Sequence, residues 1–139
     1  MKCPNNPPIL WAMEIQLYDE ITPDTAKRVT ADLAENPDAP VTIRINSYGG
    51  CVFSAIAICN ALKNHRGKVT TYNDGIAASA ASLVLCAGNK VVMAENALLM
   101  IHGPQTAING NAPKMRETAE TLDKVAKAMV EIYAAKTRH

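Results

Sequence analysis

The sequence predicts an α/β domain with largely parallel strand pairing. Stretches alternating at period two are separated by stretches whose apolar residues recur at steps of three and four. The two types follow one another as strand, helix, strand, helix, strand. The connections have the length of about a dozen residues or more that parallel neighbours need and hairpins do not. At 139 residues one domain is expected over 1–139, able to bury roughly two-thirds of the surface its unfolded form exposes.

After a polar, proline-rich leader, Met1 to Pro8, the stretch from Trp11 to Tyr18 reads as a short strand. Thr22-Pro23 supplies an N-cap and a proline for the first helical position, opening a helix to about Glu35 that Asn36-Pro37 closes. Val41, Ile43 and Ile45 alternate with polar residues as in a strand with unlike faces, which Gly49-Gly50 ends. From Cys51 to about His65, Val52, Ile56, Cys59 and Leu62 mark a helix stopped by Gly67. Val69 to Tyr72 reads as the next strand, and Asp74-Gly75 as the turn after it. Leu83 to Ala87 is apolar all round and is expected to be a buried helix ending at Gly88. Val91 to Ala94 and Leu98 to Ile101 are short strands around Glu95-Asn96. Gln105 to Ala112 is a polar loop or weak edge strand. Pro113 then opens the longest helical pattern, with Met115, Ala119, Leu122, Ala126, Met129 and Tyr133 on one face.

Composition excludes several functions. A net charge of +1 without a basic stripe, and an aromatic content of 4%, argue against nucleic acid and anionic membranes as partners. No apolar run reaches the ~18 residues of a membrane span, and the N-terminus lacks the apolar core of a signal peptide, so a cytoplasmic protein is expected. Cys3, Cys51, Cys59 and Cys86 show no C-x-x-C spacing. They read as small core residues, with no disulfide framework, metal site or cofactor implied. A phosphate-binding G-x-x-x-x-G-K-[ST] loop is also missing, so any ATP-driven partner is expected to be a separate polypeptide.

Chemistry concentrates in three segments. Gly75-Ile76-Ala77-Ala78-Ser79-Ala80-Ala81-Ser82 places a hydroxyl among residues too small to cover it, at the start of a helix. Met100-Ile101-His102-Gly103-Pro104 ends an apolar strand in an imidazole, the side chain suited to proton transfer near neutrality. Ile45-Asn46-Ser47-Tyr48-Gly49-Gly50 provides a strand-to-helix turn whose amides are open to a substrate oxyanion. Strand ends of a parallel sheet gather at one edge, so these turns are expected to meet there. Ser79 is then the candidate nucleophile, His102 its base, and the Gly50 and Ala80 amides the oxyanion donors. Ser82, one turn later, is the weaker nucleophile candidate, and His65 is read as a helix C-terminal contact. Taken singly, each segment also fits a purely structural role: tight helix-on-sheet packing at Ser79, a core or edge histidine, an ordinary glycine turn.

Together and in this order, the three segments resemble the ClpP-like serine peptidases, from about Met13 to Arg138. The short N-terminal region, the Ala77-to-Ser82 form of the serine motif and the run Asn96 to His102 are most similar to the phage and prophage head maturation proteases of that family. The resemblance implies a ClpP/crotonase-type β-β-α spiral, a protruding handle helix from about Pro113, assembly into a ring-like homo-oligomer, and protein or peptide substrates. It assigns catalysis to Ser79 and His102, with Gly50 and Ala80 as oxyanion donors. The sequence departs from the family pattern twice. Tyr48 stands where proline is usual. The triad aspartate is expected well beyond the handle helix, whereas this sequence stops at His139, so a truncated domain without that acid is expected. Asp74, Glu95 and Asp123 do not match its motif position, and loss of a triad acid can cost about 10⁴ in rate. The leading expectation is a serine endopeptidase processing capsid or scaffold proteins during phage head maturation. Its competitors are a housekeeping Clp subunit fed by a separate ATPase, a catalytically silent ring subunit, and a CoA-dependent enzyme of the related crotonase fold. The last has no need of a serine at position 79.

Overall fold

In the computed structural model the described residues are 11–138; the proline-rich leader and Cys3 lie outside them. The elements run β1 (Met13–Leu17), α1 (Pro23–Glu35), β2 (Val41–Ser47), α2 (Val52–Asn64), β3 (Val69–Ala78), α3 (Ala80–Cys86), β4 (Lys90–Met93), β5 (Leu98–Met100) and α4 (Ala112–Thr137). All the pairings between these strands are parallel, in the order β1-β2-β3-β4, as the alternation of elements predicts.

The frame of the sheet is β3. One edge pairs with β2, while the other pairs first with β4, through Thr70–Asn73, and then with β5, through Ile76–Ala78. Between Ile45↔Asn73 and Ser47↔Ala77, β2 advances through one intervening residue and β3 through three. Those two extra residues form a bulge that keeps the alternation of faces intact, because an even insertion leaves every side chain on its original side. Asn46 Oδ1 accepts from the Ile76 amide (3.2 Å) and Asn73 Oδ1 from the Gly75 amide (3.2 Å), so asparagine side chains take up amides within the bulge.

Odd-numbered strand residues make the core. Ile15, Leu17, Val41, Ile43, Ile45 and Val69 are buried against Val29 and Leu33 of α1, Ile58 and Leu62 of α2, and Leu83 to Leu85 of α3. Full burial of each such side chain contributes about 1.5–3 kcal/mol. Thr22 caps α1 in a reciprocal box with Thr25, and Pro23 sits in its first turn. Buried Thr71 donates its hydroxyl to the Leu85 carbonyl (2.6 Å), fastening the end of α3 to β3.

Several elements differ from the sequence expectation. The strand expected to stop at Tyr72 continues to Ala78, since Asp74-Gly75 forms the bulge rather than a turn. The buried face of α2 is Ser54, Ala55, Ile58, Cys59 and Leu62, with Val52 and Ile56 only half-buried: small residues face inward where the helix lies close. On α4, Val125, Met129 and Ile132 are buried, while Met115 and Ala119 are exposed. The helix packs on α3 near its C-terminal end and projects at its start. Tyr133 OH is hydrogen-bonded to Ser82 Oγ (2.6 Å), and Lys136 Nζ donates to the Gly88 carbonyl (2.7 Å). His65 caps α2, and a ring nitrogen bonds the Ala39 carbonyl (2.7 Å).

On the opposite sheet face, Arg44 grips Asp74 with two nitrogens and lies 4.6 Å over the Tyr72 ring, while Tyr18 OH donates to the same carboxylate (2.6 Å). Arg44, and then Tyr18, hold the Asp74 carboxyl below the usual carboxylate range despite its desolvation. A depressed folded pKa makes this contribution complete above the ordinary value, about 3.9, and removes it as pH falls through the lower folded value. Urea denaturation from pH 7 down to pH 2 should therefore show stability falling in acid, with a shallower fall in Asp74→Asn. An identical acid slope in both proteins would show that this pair does not contribute.

Candidate active site

The end of β3 delivers Ser79 in a conformation that only a tightly packed turn sustains. Its φ of 54° and ψ of −126° make it the one non-glycine residue with positive φ among those described. Such backbone costs of order 1–3 kcal/mol and persists where surrounding contacts over-determine it. Here the Ser79 amide donates to the Met100 carbonyl (2.9 Å), and the Ser79 carbonyl accepts from the Ser82 amide (3.0 Å) and the Ser82 hydroxyl. The result is a sharp strand-to-helix turn that leaves the Ser79 side chain at a cavity wall, the arrangement expected of a nucleophile elbow. Ser82 is fully buried and bonded to Ser79 and Tyr133, so it is not presented to the cavity.

The Gly49-Gly50 turn presses against this elbow. A Cβ on Gly49, whose φ is +102°, would lie 2.7 Å from the Ala78 carbonyl oxygen, 2.9 Å from the Ala80 nitrogen and 2.9 Å from Ser79 Cβ. Ile21 bridges this segment by donating to the Gly49 carbonyl (2.8 Å) and accepting from the Cys51 amide (2.8 Å). In that parallel bridge the Gly50 N–H points away from Ile21. Ala80 opens α3, where a first-turn amide has no partner within its own helix.

Ser79, His102, Gly50 and Ala80, drawn from three separate strand ends, line one cavity of about 620 Å³. Val52, Phe53, Leu122, Val125 and Met129 give it an apolar wall, Thr118 and Thr121 of α4 add hydroxyls, and Tyr48 stands exposed at its rim. His102 follows β5 and is half-buried; Nδ1 bonds the Gly103 carbonyl (2.7 Å). A carbonyl accepts, so this contact places the proton on Nδ1 and leaves the Nε2 lone pair free. Among the described residues, no hydrogen bond joins Ser79 Oγ to His102. None of the lining residues is acidic. Asp74 is taken by Arg44 and Tyr18, Glu95 is exposed in the β4–β5 turn, and Asp123 lies with Glu120, Lys124 and Lys127 on α4. No group of three metal-ligating side chains occurs among the described residues. No helix there is long and apolar enough to cross a membrane.

Cys51 departs from the expectation that the cysteines are core residues. It is the N-cap of α2 and lines the cavity, with its thiol held below the ordinary value by the Ser54 hydroxyl and amide. Cys59 does behave as core, its thiol pushed up to about 12 by burial. The signal for Cys51 was available in the sequence, since a residue directly after Gly49-Gly50 belongs to the turn and not yet to the helix.

A model of the Clp protease family matches residues 8–139. The chain belongs to the Clp protease family. It is 33% identical over 131 residues to ATP-dependent Clp protease proteolytic subunit 3 of Rhodococcus jostii (strain RHA1), covering 90% of this chain and 65% of that protein. Subunit 1 of Synechococcus sp. (strain CC9902) is 32% identical over 114 residues, 78% of this chain and 58% of the relative. Subunit 2 of Bifidobacterium longum (strain NCC 2705) is 30% identical over 131 residues, 90% of this chain and 63% of the relative. The chain thus spans less than two-thirds of the length of these Clp relatives. Its parallel sheet and helices agree with the ClpP-type fold expected from the three motifs.

Two glycines of this Clp domain should respond unequally to substitution. Gly49→Ala meets both a forbidden φ and the Ser79 elbow, and should lower stability by about 1–3 kcal/mol in urea titrations. Gly103→Ala, with nothing within 4 Å of the added carbon and no positive φ, should stay within about 0.5 kcal/mol of the parent. Equal effects at the two sites would contradict the close packing of the turns.

Proposed function

We propose that this chain is the peptidase domain of a Clp-type serine endopeptidase, with Ser79 as nucleophile, His102 as general base and the Gly50 and Ala80 amides as oxyanion donors. The observation that carries it is the strained Ser79 elbow opening onto the same cavity as an imidazole and two turn amides. In the reaction, His102 Nε2 takes the proton as Ser79 Oγ attacks the scissile carbonyl. The amides bind the oxyanion, a donor where measured being worth about 2.7–4 kcal/mol. The leaving amine receives the proton back, and water hydrolyses the acyl-enzyme by the same route in reverse. Contact between Ser79 and His102 must tighten when substrate binds, as catalytic hydrogen bonds often do. The uncharged wall of Val52, Phe53, Leu122, Val125 and Met129 suits an apolar peptide side chain.

The Gly103 carbonyl orients the imidazole but, being neutral, stabilises the imidazolium less than a carboxylate does. This favours weak activity for the chain as it stands, and the acid-free lining supports the silent ring subunit as the second reading. Self-association is supported by the exposed apolar residues Leu98 to Ile101 on and after β5 and Met115 on the projecting part of α4. For the substrate, the names of the relatives favour proteins delivered by a separate ATPase. The Ala77–Ser82 and Asn96–His102 runs support processing of phage head proteins. Degradation of a folded test protein only when a Clp-type ATPase is added would favour the first. Unaided cleavage of capsid or scaffold protein would favour the second.

A fluorophosphonate probe with peptide mapping tests the chemistry. Labelling should fall on Ser79, vanish in Ser79→Ala and slow by about 10²–10⁴-fold in His102→Ala. A folded protein that takes no label would establish the silent subunit instead.

A further inference from the structure

We infer that Asn73 is a positioning residue for the Ser79–His102 pair, setting where the strand that leads to His102 lies against the elbow that carries Ser79. The inference rests on the peptidase reading for its catalytic consequence, and on the geometry alone for its mechanical one. Asn73 is the one asparagine among the fully buried side chains of the described residues. It stands where the outer edge of β3 changes partner from β4 to β5. Its Oδ1 accepts from the Gly75 amide inside the bulge (3.2 Å), while Nδ2 donates to the Leu98 carbonyl at the first residue of β5 (2.9 Å) and contacts Met93 Sδ at the end of β4 (3.4 Å). Its own carbonyl accepts from the Ala94 amide (2.9 Å). One amide group therefore ties the bulge, the end of β4 and the start of β5 to a single point.

The far end of β5 carries the functional consequence. Two residues beyond Leu98, the Met100 carbonyl receives the Ser79 amide, and two residues further stands His102. Strand β5 is only three residues long with all three exposed, so the core does not hold it from the outside. Its alignment depends on backbone pairing to Ile76–Ala78 and on the Asn73 anchor. The site needs an acceptor toward Gly75 and a donor toward Leu98, and the amide supplies both from one planar group without depending on pH. A buried polar group of this kind is costly unless both needs are met. Asn73 does not line the cavity, so its loss should disturb the geometry of the reaction more than the binding of a ligand.

The test compares the parent with Asn73→Leu, which keeps the branched shape but removes the side-chain hydrogen bonds, and Asn73→Asp, which regains the donor only when its buried carboxyl is protonated. Amide exchange should show protection across 98–102 and at Ser79 reduced by about tenfold or more in Asn73→Leu, with β1 and β2 unchanged. With a peptidyl diphenyl phosphonate, the limiting labelling rate should fall by about 10–100-fold while the half-saturating concentration stays within about twofold. Relative to the parent at the same pH, Asn73→Asp should approach parental protection and rate at pH 5.5 and approach Asn73→Leu at pH 8.5. A merely structural role would not produce that pH-dependent rescue, and the comparison stands on Asn73→Asp alone should Asn73→Leu fail to fold. If the parent takes no label, the peptidase reading fails separately and the exchange data alone decide the anchoring role. Equal protection in all three proteins, or a half-saturating concentration that rises in step with the loss of rate, would overturn the inference.

Discussion

The hydrogen bond from the Ser79 amide to the Met100 carbonyl is the constraint around which the site is organised. It joins the end of β3 to the end of β5, chain segments with no hairpin between them, and it does so at the residue whose backbone is least comfortable. A positive φ at a residue with a Cβ is unfavourable in isolation. The contacts of Gly49, Ser82 and Met100 make it the conformation that the packed domain selects, and the same contacts bring an imidazole and two turn amides to the hydroxyl's cavity. Strain and assembly of the site are thus two aspects of one arrangement.

Strand β3 supplies the length that this arrangement needs. With ten residues it outlasts β4, leaving room on the same edge for β5, and the two-residue bulge adjusts its course without turning its faces over. Asparagines 46 and 73 bond amides within the bulge, which lets the sheet deviate where a regular ladder would run straight past. The Arg44–Asp74–Tyr18 cluster lies at the same level on the opposite face. It engages the acid nearest in sequence to Ser79, and this separates the charge of Asp74 from the imidazole.

Helix α4 completes the cavity while remaining only partly part of the core. Its middle and C-terminal turns bury Val125, Met129 and Ile132 and give Leu122 to the wall; its first turns project. The helix is held by its middle and C-terminal turns. The apolar side of the site therefore depends on how firmly Tyr133 and Lys136 hold that end to α3 and the following loop.

Local signals in the chain predict the element order and the parallel sheet, and they single out Ser79, His102, Gly50 and Ala80 as candidates, because periodicity, caps and glycine turns act over a few neighbouring residues. They also suggest the family, whose motifs are short and contiguous. What they did not reveal depends on contacts across the fold. Asp74-Gly75 looks like a turn until β2 and β5 pair on either side of it, and the inward faces of α2 and α4 shift because close packing chooses small residues on one helix and the last turns of the other. Asn73 was half legible: the alternation Val69, Thr71, Asn73 assigns it inward, yet the partners that make a buried amide useful are 2 and 25 residues away. The cavity arises from chain segments meeting in space, where distance along the sequence no longer measures interaction, whereas the Nδ1 contact of His102 and the N-cap place of Cys51 are set by the near neighbours Gly103 and Ser54.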